Sequence, residues 1–89
     1  MEGQIGLSSI VKNLDSGDSF SLGRGYGILI IGNMSTGYTG VYSVQNGTSV
    51  ALNTALSDIE ISRVSEREIT IKNNNVNSRR LNISFVGLV

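Results

Sequence analysis

Hydrophobic and polar residues alternate with a period of two along most of the chain, and glycines or Asn-Gly pairs separate the alternating segments. This is the period of a half-buried β-strand, because successive side chains of a strand point to opposite faces of a sheet. About seven or eight short strands follow from the pattern, and no apolar stripe at helical spacing accompanies them. The pattern predicts an all-β protein, an antiparallel β-sandwich or jelly roll, formed by residues 1–89 as a single domain.

Two pairs of alternating segments are predicted to form hairpins. Asn46-Gly47 separates the runs 39–45 and 48–52. Both residues of this pair tolerate the positive φ of a type I′ turn, so it is the strongest hairpin signal in the chain. The second predicted hairpin joins residues 68–72 to residues 80–85 across an Asn-rich segment.

The phase of each strand predicts which side chains fill the core. Residues 26–31 are apolar in both phases, so we expect a central strand that is covered on both faces. Tyr42 is in phase with Val44 and is expected in the core as well. The residues predicted to be buried are Leu22, Ile28, Ile30, Ile61, Ile69, Ile71, Leu81, Ile83 and Phe85.

Composition excludes several classes of function. The chain contains no Cys and no His, which excludes disulfides, thiolate or imidazole metal ligands and catalytic triads that use His. Seven basic and seven acidic residues give a net charge of zero, so no basic field attracts nucleic acid. We therefore predict no catalytic residue, no metal and no cofactor. An enzyme ranks third among the functions considered, since a hydrolase can run on carboxylates alone.

Neither a signal peptide nor a membrane segment is predicted. The first residues, Met1 to Gln4, lack a basic region followed by an apolar run. The most apolar run, from Gly27 to Gly32, is far too short to cross a bilayer. We expect a protein that is made in the cytoplasm and does not insert into a membrane.

Arg79 and Arg80 form a basic pair next to the Asn-rich segment. A pair of two residues is weak support for an anion site. We expect these side chains at a solvated hairpin base, or in ion pairs with Glu66 or Glu68 of another subunit.

The loop at residues 32–40 is the best candidate for a ligand site. Tyr38 is the one aromatic residue that strand alternation does not claim, and Asn33 is close to it in sequence. Carbohydrate-binding surfaces use this chemistry, because a flat ring stacks on sugar C–H groups while an amide bonds hydroxyls. We predict Tyr38 as the stacking ring and Asn33 as a hydrogen-bond partner. The competing interpretation is that Tyr38 packs against a neighbouring loop or subunit and touches no ligand.

Three segments follow one another in a recognisable order. They are the Gly-flanked apolar run GILIIG at 27–32, the tyrosine segment TGYTGVYSV at 36–44, and ITIKNNN followed by LNISF near the end. This order resembles the C-terminal β-rich modules of bacteriophage tail fibres and related receptor-binding or structural proteins. The resemblance implies a homotrimeric β-sandwich or jelly-roll head that contacts other virion proteins and binds host-surface glycans. It places the protein in the virion and transfers no binding residue, because such modules share no fixed site motif.

The preferred function is therefore a non-enzymatic module of a phage virion, in a tail fibre, spike or related structure. The alternative is a free-standing carbohydrate-binding, lectin-like sandwich. The residues themselves also favour a homotrimer. The tail from Phe85 to Val89 is apolar in both phases, so one face of a single chain cannot bury all of it. A tight trimer without a ligand favours the virion role, and a glycan-binding monomer favours the lectin.

Overall fold

Strands and turns make up the whole of the described chain. The computed structural model describes residues 5–53 and 55–88, and these contain no helix. It follows that no helix among them could cross a membrane. The strands are β1 (Ile5–Leu14), β2 (Ser19–Leu22), β3 (Gly27–Asn33), β4 (Thr39–Gln45), β5 (Thr48–Ala51), β6 (Ile59–Ser65), β7 (Glu68–Asn73) and β8 (Arg79–Leu88).

The eight strands form two antiparallel sheets around one core, which confirms the all-β prediction. The larger sheet has the order β1-β8-β3-β4-β5 and the smaller sheet the order β2-β7-β6. The inner faces of both sheets contribute to the same apolar cluster, so each sheet removes the other's apolar side chains from water. The most completely buried side chains are those of Leu29, Ile31, Val44, Ile69, Ile71, Leu81, Ile83 and Phe85.

The Asn46-Gly47 turn forms as predicted. Asn46 and Gly47 have φ values of 56° and 72°, the two positive angles that a type I′ turn requires. Gln45 pairs with Thr48 directly before and after the turn. The turn thereby fixes the register of β4 against β5.

The second predicted hairpin is wrong. β7 pairs with β2 and β6 in the smaller sheet, whereas β8 pairs with β1 and β3 in the larger one. The Asn-rich segment between them crosses from one sheet to the other. Asn73 anchors this crossing, because its buried amide donates to the carbonyl oxygens of Leu14 and Asn77. Alternation shows which face of a strand is buried, but it does not show which strand lies next to it.

The predicted phase of the central strand is also wrong. Leu29 and Ile31 are fully buried, while Ile28 and Ile30 point away from the core and are each 37% exposed. β3 is central, as expected, but the chain covers only one of its faces. Because both phases of β3 are apolar, the segment itself carries no signal for the side that turns inward. The inward side is set by its neighbour, since Leu29 lies opposite the buried Phe85 of β8.

Most of the remaining predicted core is confirmed. Ile69, Ile71, Leu81, Ile83 and Phe85 are buried. Two further predicted core residues, one on each edge strand of the smaller sheet, are only partly buried. An edge strand has a neighbour on one side only, which leaves its side chains open to water. These two residues are Leu22 of β2 and Ile61 of β6.

Arg24 links β1 to β8, the first and last strands along the chain, which are neighbours in the larger sheet. It lies in the crossing from β2 to β3 and is only 6% exposed. Its guanidinium group donates to the carbonyl oxygens of Gly6, Gly87 and Leu88 at 2.6, 2.9 and 3.0 Å, and it stacks 4.9 Å from the centre of the Phe85 ring. These bonds satisfy the buried charge and fix the ends of β1 and β8 together.

The two ends of the sandwich differ in what they contain. Ile5 pairs with Leu88, so the beginning and the end of the described chain lie side by side at one end. At the opposite end, the N–H of Met34 donates to the carbonyl of Arg80, which places the β3–β4 loop beside the start of β8. The molecule measures 39 Å in its longest dimension and about 20 Å in the other two.

Candidate functional site

A cleft of about 430 Å³ opens at the end of the sandwich that carries the β3–β4 loop. This volume lies within the roughly 300–1,000 Å³ of typical ligand sites. One wall is the β3–β4 loop, and the other is the segment that precedes β6. The lining residues are Asn33, Thr36, Tyr38 and Thr39 on the first wall and Ala55, Leu56, Ser57 and Asp58 on the second.

Asn33 builds the first wall. It is the last residue of β3 and is 3% exposed. Its carbonyl oxygen accepts the N–H groups of Thr36 and Gly37, and its own N–H donates to the carbonyl of Tyr38. Its side-chain Oδ1 accepts the N–H of Ser35 at 3.0 Å. With four bonds into the loop, Asn33 holds the backbone that presents the tyrosine.

The structure brings Tyr38 and Asn33 to the same cleft, as the predicted site requires. The side chain of Tyr38 is 71% exposed at the rim, so a single chain leaves its ring available for stacking. Asn33 lies deeper, and its Oδ1 accepts a hydrogen bond from the loop, so its Nδ2 is the group that we expect to contact a ligand. The ligand itself stays a prediction.

Leu56 gives the cleft an apolar floor, and the buried Tyr42 supports Leu56 from behind without lining the cleft itself. The predicted core position of Tyr42 is confirmed, and its hydroxyl oxygen accepts the N–H of Leu56 at 2.9 Å. Gly40 makes this packing possible, since a Cβ atom there would lie 2.8 Å from a carbon of the Tyr42 ring. A side chain at position 40 would therefore push the ring away and open the floor.

Asp58 contributes a negative charge to the second wall. Arg79 Nε donates to Asp58 Oδ2 at 3.0 Å, in a pair whose side chains are mostly buried. This hydrogen bond, and a second one from Asn75, lower the pKa of Asp58 against the opposing effect of burial. The carboxylate is thus charged at neutral pH. Arg79 therefore does not lie at the solvated hairpin base expected for it, because it pairs with Asp58 of the same chain. A pair with Glu66 or Glu68 of another subunit stays a prediction.

Sequence reasoning missed the whole second wall. Leu56 and Asp58 lie in a connection without hydrophobic periodicity, and they are far from Tyr38 along the chain. They meet the loop only because the chain passes from the larger sheet to the smaller one at this end. No local pattern in the sequence carries that information.

A second cleft, of about 410 Å³, lies along the side of the sandwich where β1 faces β2. Core side chains such as Phe20, Ile83 and Phe85 line it, together with two serines of β1. Its partly buried ring, Phe20, is less open than Tyr38, and it offers no side-chain amide, so it fits a sugar less well than the first cleft does. Among the described residues, no three His, Cys, Asp or Glu side chains come together as a metal site.

Comparison with known proteins adds no further guide to the site. No protein-family model, no curated protein and no solved structure matches this chain. The function is therefore argued from the geometry of the cleft and of the sheet faces.

Proposed function

We propose that this protein is a non-enzymatic receptor-binding and assembly module of a phage virion, in a tail fibre, spike or related structure. In this proposal it acts as a homotrimer and binds a host-surface glycan in the cleft between Tyr38 and Asp58. The observation that carries the proposal is the cleft itself, where an exposed tyrosine ring stands at the rim above an apolar floor.

The chemistry of the cleft suits the two kinds of surface on a sugar. The exposed ring of Tyr38 and the side chain of Leu56 present apolar surface to the C–H face of a pyranose. The Nδ2 group of Asn33 donates to a hydroxyl, and the hydroxyls of Thr36 and Ser57 both donate and accept. A neutral sugar needs no charged partner, which agrees with a chain of zero net charge.

One such site binds weakly, and several copies bind well. With one ring and a few hydrogen bonds, the dissociation constant of a single cleft is expected on the order of 1 mM. Three clefts on one particle, at the spacing of the receptor, raise the overall affinity by roughly 10²–10⁴. The proposed trimer would therefore supply the affinity that a single cleft lacks.

A free-standing lectin-like module is the second candidate. It is favoured by one observation, namely that both walls of the cleft come from a single chain, so binding requires no partner subunit. The two candidates differ in solution mass. A monomer of 9.5 kDa that binds glycans supports the lectin, and a stable trimer supports the virion module.

A glycan array tests the site with three matched variants. We expect Tyr38→Ala to lower the signal at least tenfold, because it removes the stacking surface, while Tyr38→Phe keeps most of it. Val76→Ala changes a side chain that is even more exposed and lies outside the cleft, so it serves as the control. Equal binding by Tyr38→Ala and the parent, with the fold intact by circular dichroism, contradicts the site. An array on which the parent binds nothing contradicts the glycan.

A further inference from the structure

Every strand of the larger sheet places at least one apolar side chain outward, among polar ones such as Ser43 and Ser84. β1 places Leu7 outward, β8 places Val86, β3 places Ile30, β4 places Val41 and β5 places Val50. Leu7 and Val50 are 71% and 60% exposed. We refer to the outward positions of these five strands as the outer sheet face. The largest apolar patch of a typical monomer, roughly 300–600 Å², is often a functional surface.

These side chains are neighbours in space. Leu7 lies opposite Val86, and Val86 lies opposite Ile28, so three adjacent strands share one apolar row. In the next row, Ile30 lies opposite Val41. Directly opposite residues have Cβ atoms about 5 Å apart, which makes the rows a continuous patch.

Charged side chains are rare on the outer sheet face of the described chain. The described strands of the larger sheet carry three charged side chains, and two of them are engaged elsewhere. Lys12 points inward, with Nζ 5.1 Å from the centre of the Phe20 ring, and Arg79 pairs with Asp58. Arg80 is directed outward, but it lies at the end of the sheet.

Two of the polar side chains on this face pair with each other. The hydroxyls of Ser9 and Ser84 lie 3.3 Å apart, within hydrogen-bond distance, between β1 and β8. Covering a hydroxyl that already has a partner costs far less than covering an isolated one. This pair can therefore be covered at a lower cost than two isolated hydroxyls.

We infer that the outer sheet face is a self-association surface, and that its occupant is the same face of another copy of this chain. An uncharged apolar face is complementary to itself, and two copies of a chain with zero net charge do not repel each other. The inference rests on the self-association in the proposed function and names the surface that performs it. It does not depend on the glycan.

The size of the face is close to what this occupant requires. Five strands at about 4.8 Å spacing, with seven residues at about 3.3 Å each, span roughly 24 by 23 Å, or about 550 Å² before side-chain relief is counted. Each partner in a stable interface contributes about 600–1,000 Å². At about 550 Å², the face lies just below this range before side-chain relief is counted, both for two faces packed together and for three around a common axis.

Lysine substitution on each sheet tests the surface, with molar mass from light scattering as the readout. Ile30→Lys puts a charge at the centre of the outer sheet face, and we expect it to raise the dissociation constant of the assembly at least about 100-fold. Thr70→Lys makes a matched change on β7, the central strand of the smaller sheet, and should leave the mass of the parent unchanged. A parent mass retained by Ile30→Lys overturns the inference and leaves self-association standing through another surface.

Cysteine labelling gives a second measurement that does not depend on disruption, because the chain has no Cys of its own. In the assembly, Ile30→Cys should react with a maleimide at least about tenfold more slowly than Thr70→Cys. Equal rates at a concentration where the parent is oligomeric overturn the inference. A parent that stays at 9.5 kDa at all concentrations overturns both the surface and the trimer, while glycan binding by that monomer still supports the cleft.

Discussion

The outer faces of the two sheets arise from the same alternation, yet they carry different side chains. β6 and β7 direct Glu60, Thr70 and Lys72 outward, whereas β3 and β8 direct Ile30 and Val86 outward. Both faces are open in a single chain. The smaller sheet presents charged and polar side chains to water, whereas the larger sheet presents several apolar ones. This difference is the basis on which we propose association through the larger sheet.

The largest expected effect is on the free energy of unfolding, and it differs between the inner and the outer side of β8. Phe85→Ala should lower the free energy of unfolding by roughly 3–5 kcal/mol, because it leaves a cavity between the sheets and removes the ring beneath Arg24. Val86→Ala, one residue along, changes an outward side chain and should cost less than about 1 kcal/mol when the chain is dilute.

Urea unfolding followed by circular dichroism measures both values. Equal losses for Phe85→Ala and Val86→Ala would show that the two faces of β8 are not distinguished as the structure has them. An unchanged midpoint for Phe85→Ala would place its ring outside the core.

A smaller expected effect is the change of stability with protein concentration, which tests association through the outer sheet face. If copies associate through it in a two-fold pair, the apparent free energy of unfolding per chain rises by about 0.7 kcal/mol for each tenfold increase in protein concentration, and more steeply in a trimer. Thermal unfolding midpoints of the parent should therefore increase with concentration. Those of Ile30→Lys should not. A parent midpoint that is independent of concentration across three decades contradicts the association.

The smallest expected effect is the loss of stability on removing an ion pair. We compare a pair that joins the two sheets with a pair on the surface of the smaller sheet. Asp58 and Arg79 are mostly buried, whereas Glu66 and Arg67 are 3.9 Å apart and mostly exposed. We expect Asp58→Asn to destabilise the protein at pH 7, and Glu66→Gln to change stability by less than about 0.5 kcal/mol.

The pH dependence of this effect follows from the pKa of Asp58. The folded state lowers that pKa, so the contribution of the pair is complete above the unfolded value, near pH 4, and is lost as the pH falls through the folded value. The difference between the parent and Asp58→Asn should therefore shrink on acidification, as urea unfolding at pH 7 and pH 3 would show. A difference that grows at pH 3 would contradict the sign of the shift.

The strands could be predicted from the sequence, and their neighbours could not. Alternation and the Asn46-Gly47 turn are local, so they appear in any short window. The partner of β7 depends on where the chain crosses between sheets, and nothing within the Asn-rich segment distinguishes a hairpin loop from a crossing. The phase of β3 was hidden for a different reason, since Ile28 and Ile30 are as apolar as Leu29 and Ile31.

Half of the candidate site could be predicted in the same way. Tyr38 could be predicted because it does not fit the alternation of any strand. Asn33 could be predicted because it is close to Tyr38 along the chain. Leu56 and Asp58 are brought to the cleft by the packing of one sheet on the other, which is a property of the whole fold. The structure also gives Asn33 a second task, since most of its hydrogen bonds hold the loop.

The pairing of Ile5 with Leu88 has a practical consequence for how the protein can be presented to a surface. A biotin, a resin or a fused carrier attached near either end is joined to the same end of the molecule. The cleft lies at the other end of a body 39 Å long, so Tyr38 points away from the support in both orientations of the tag. The outer sheet face runs alongside, parallel to the line from tag to cleft. Dense immobilisation therefore brings neighbouring copies side by side without blocking the cleft.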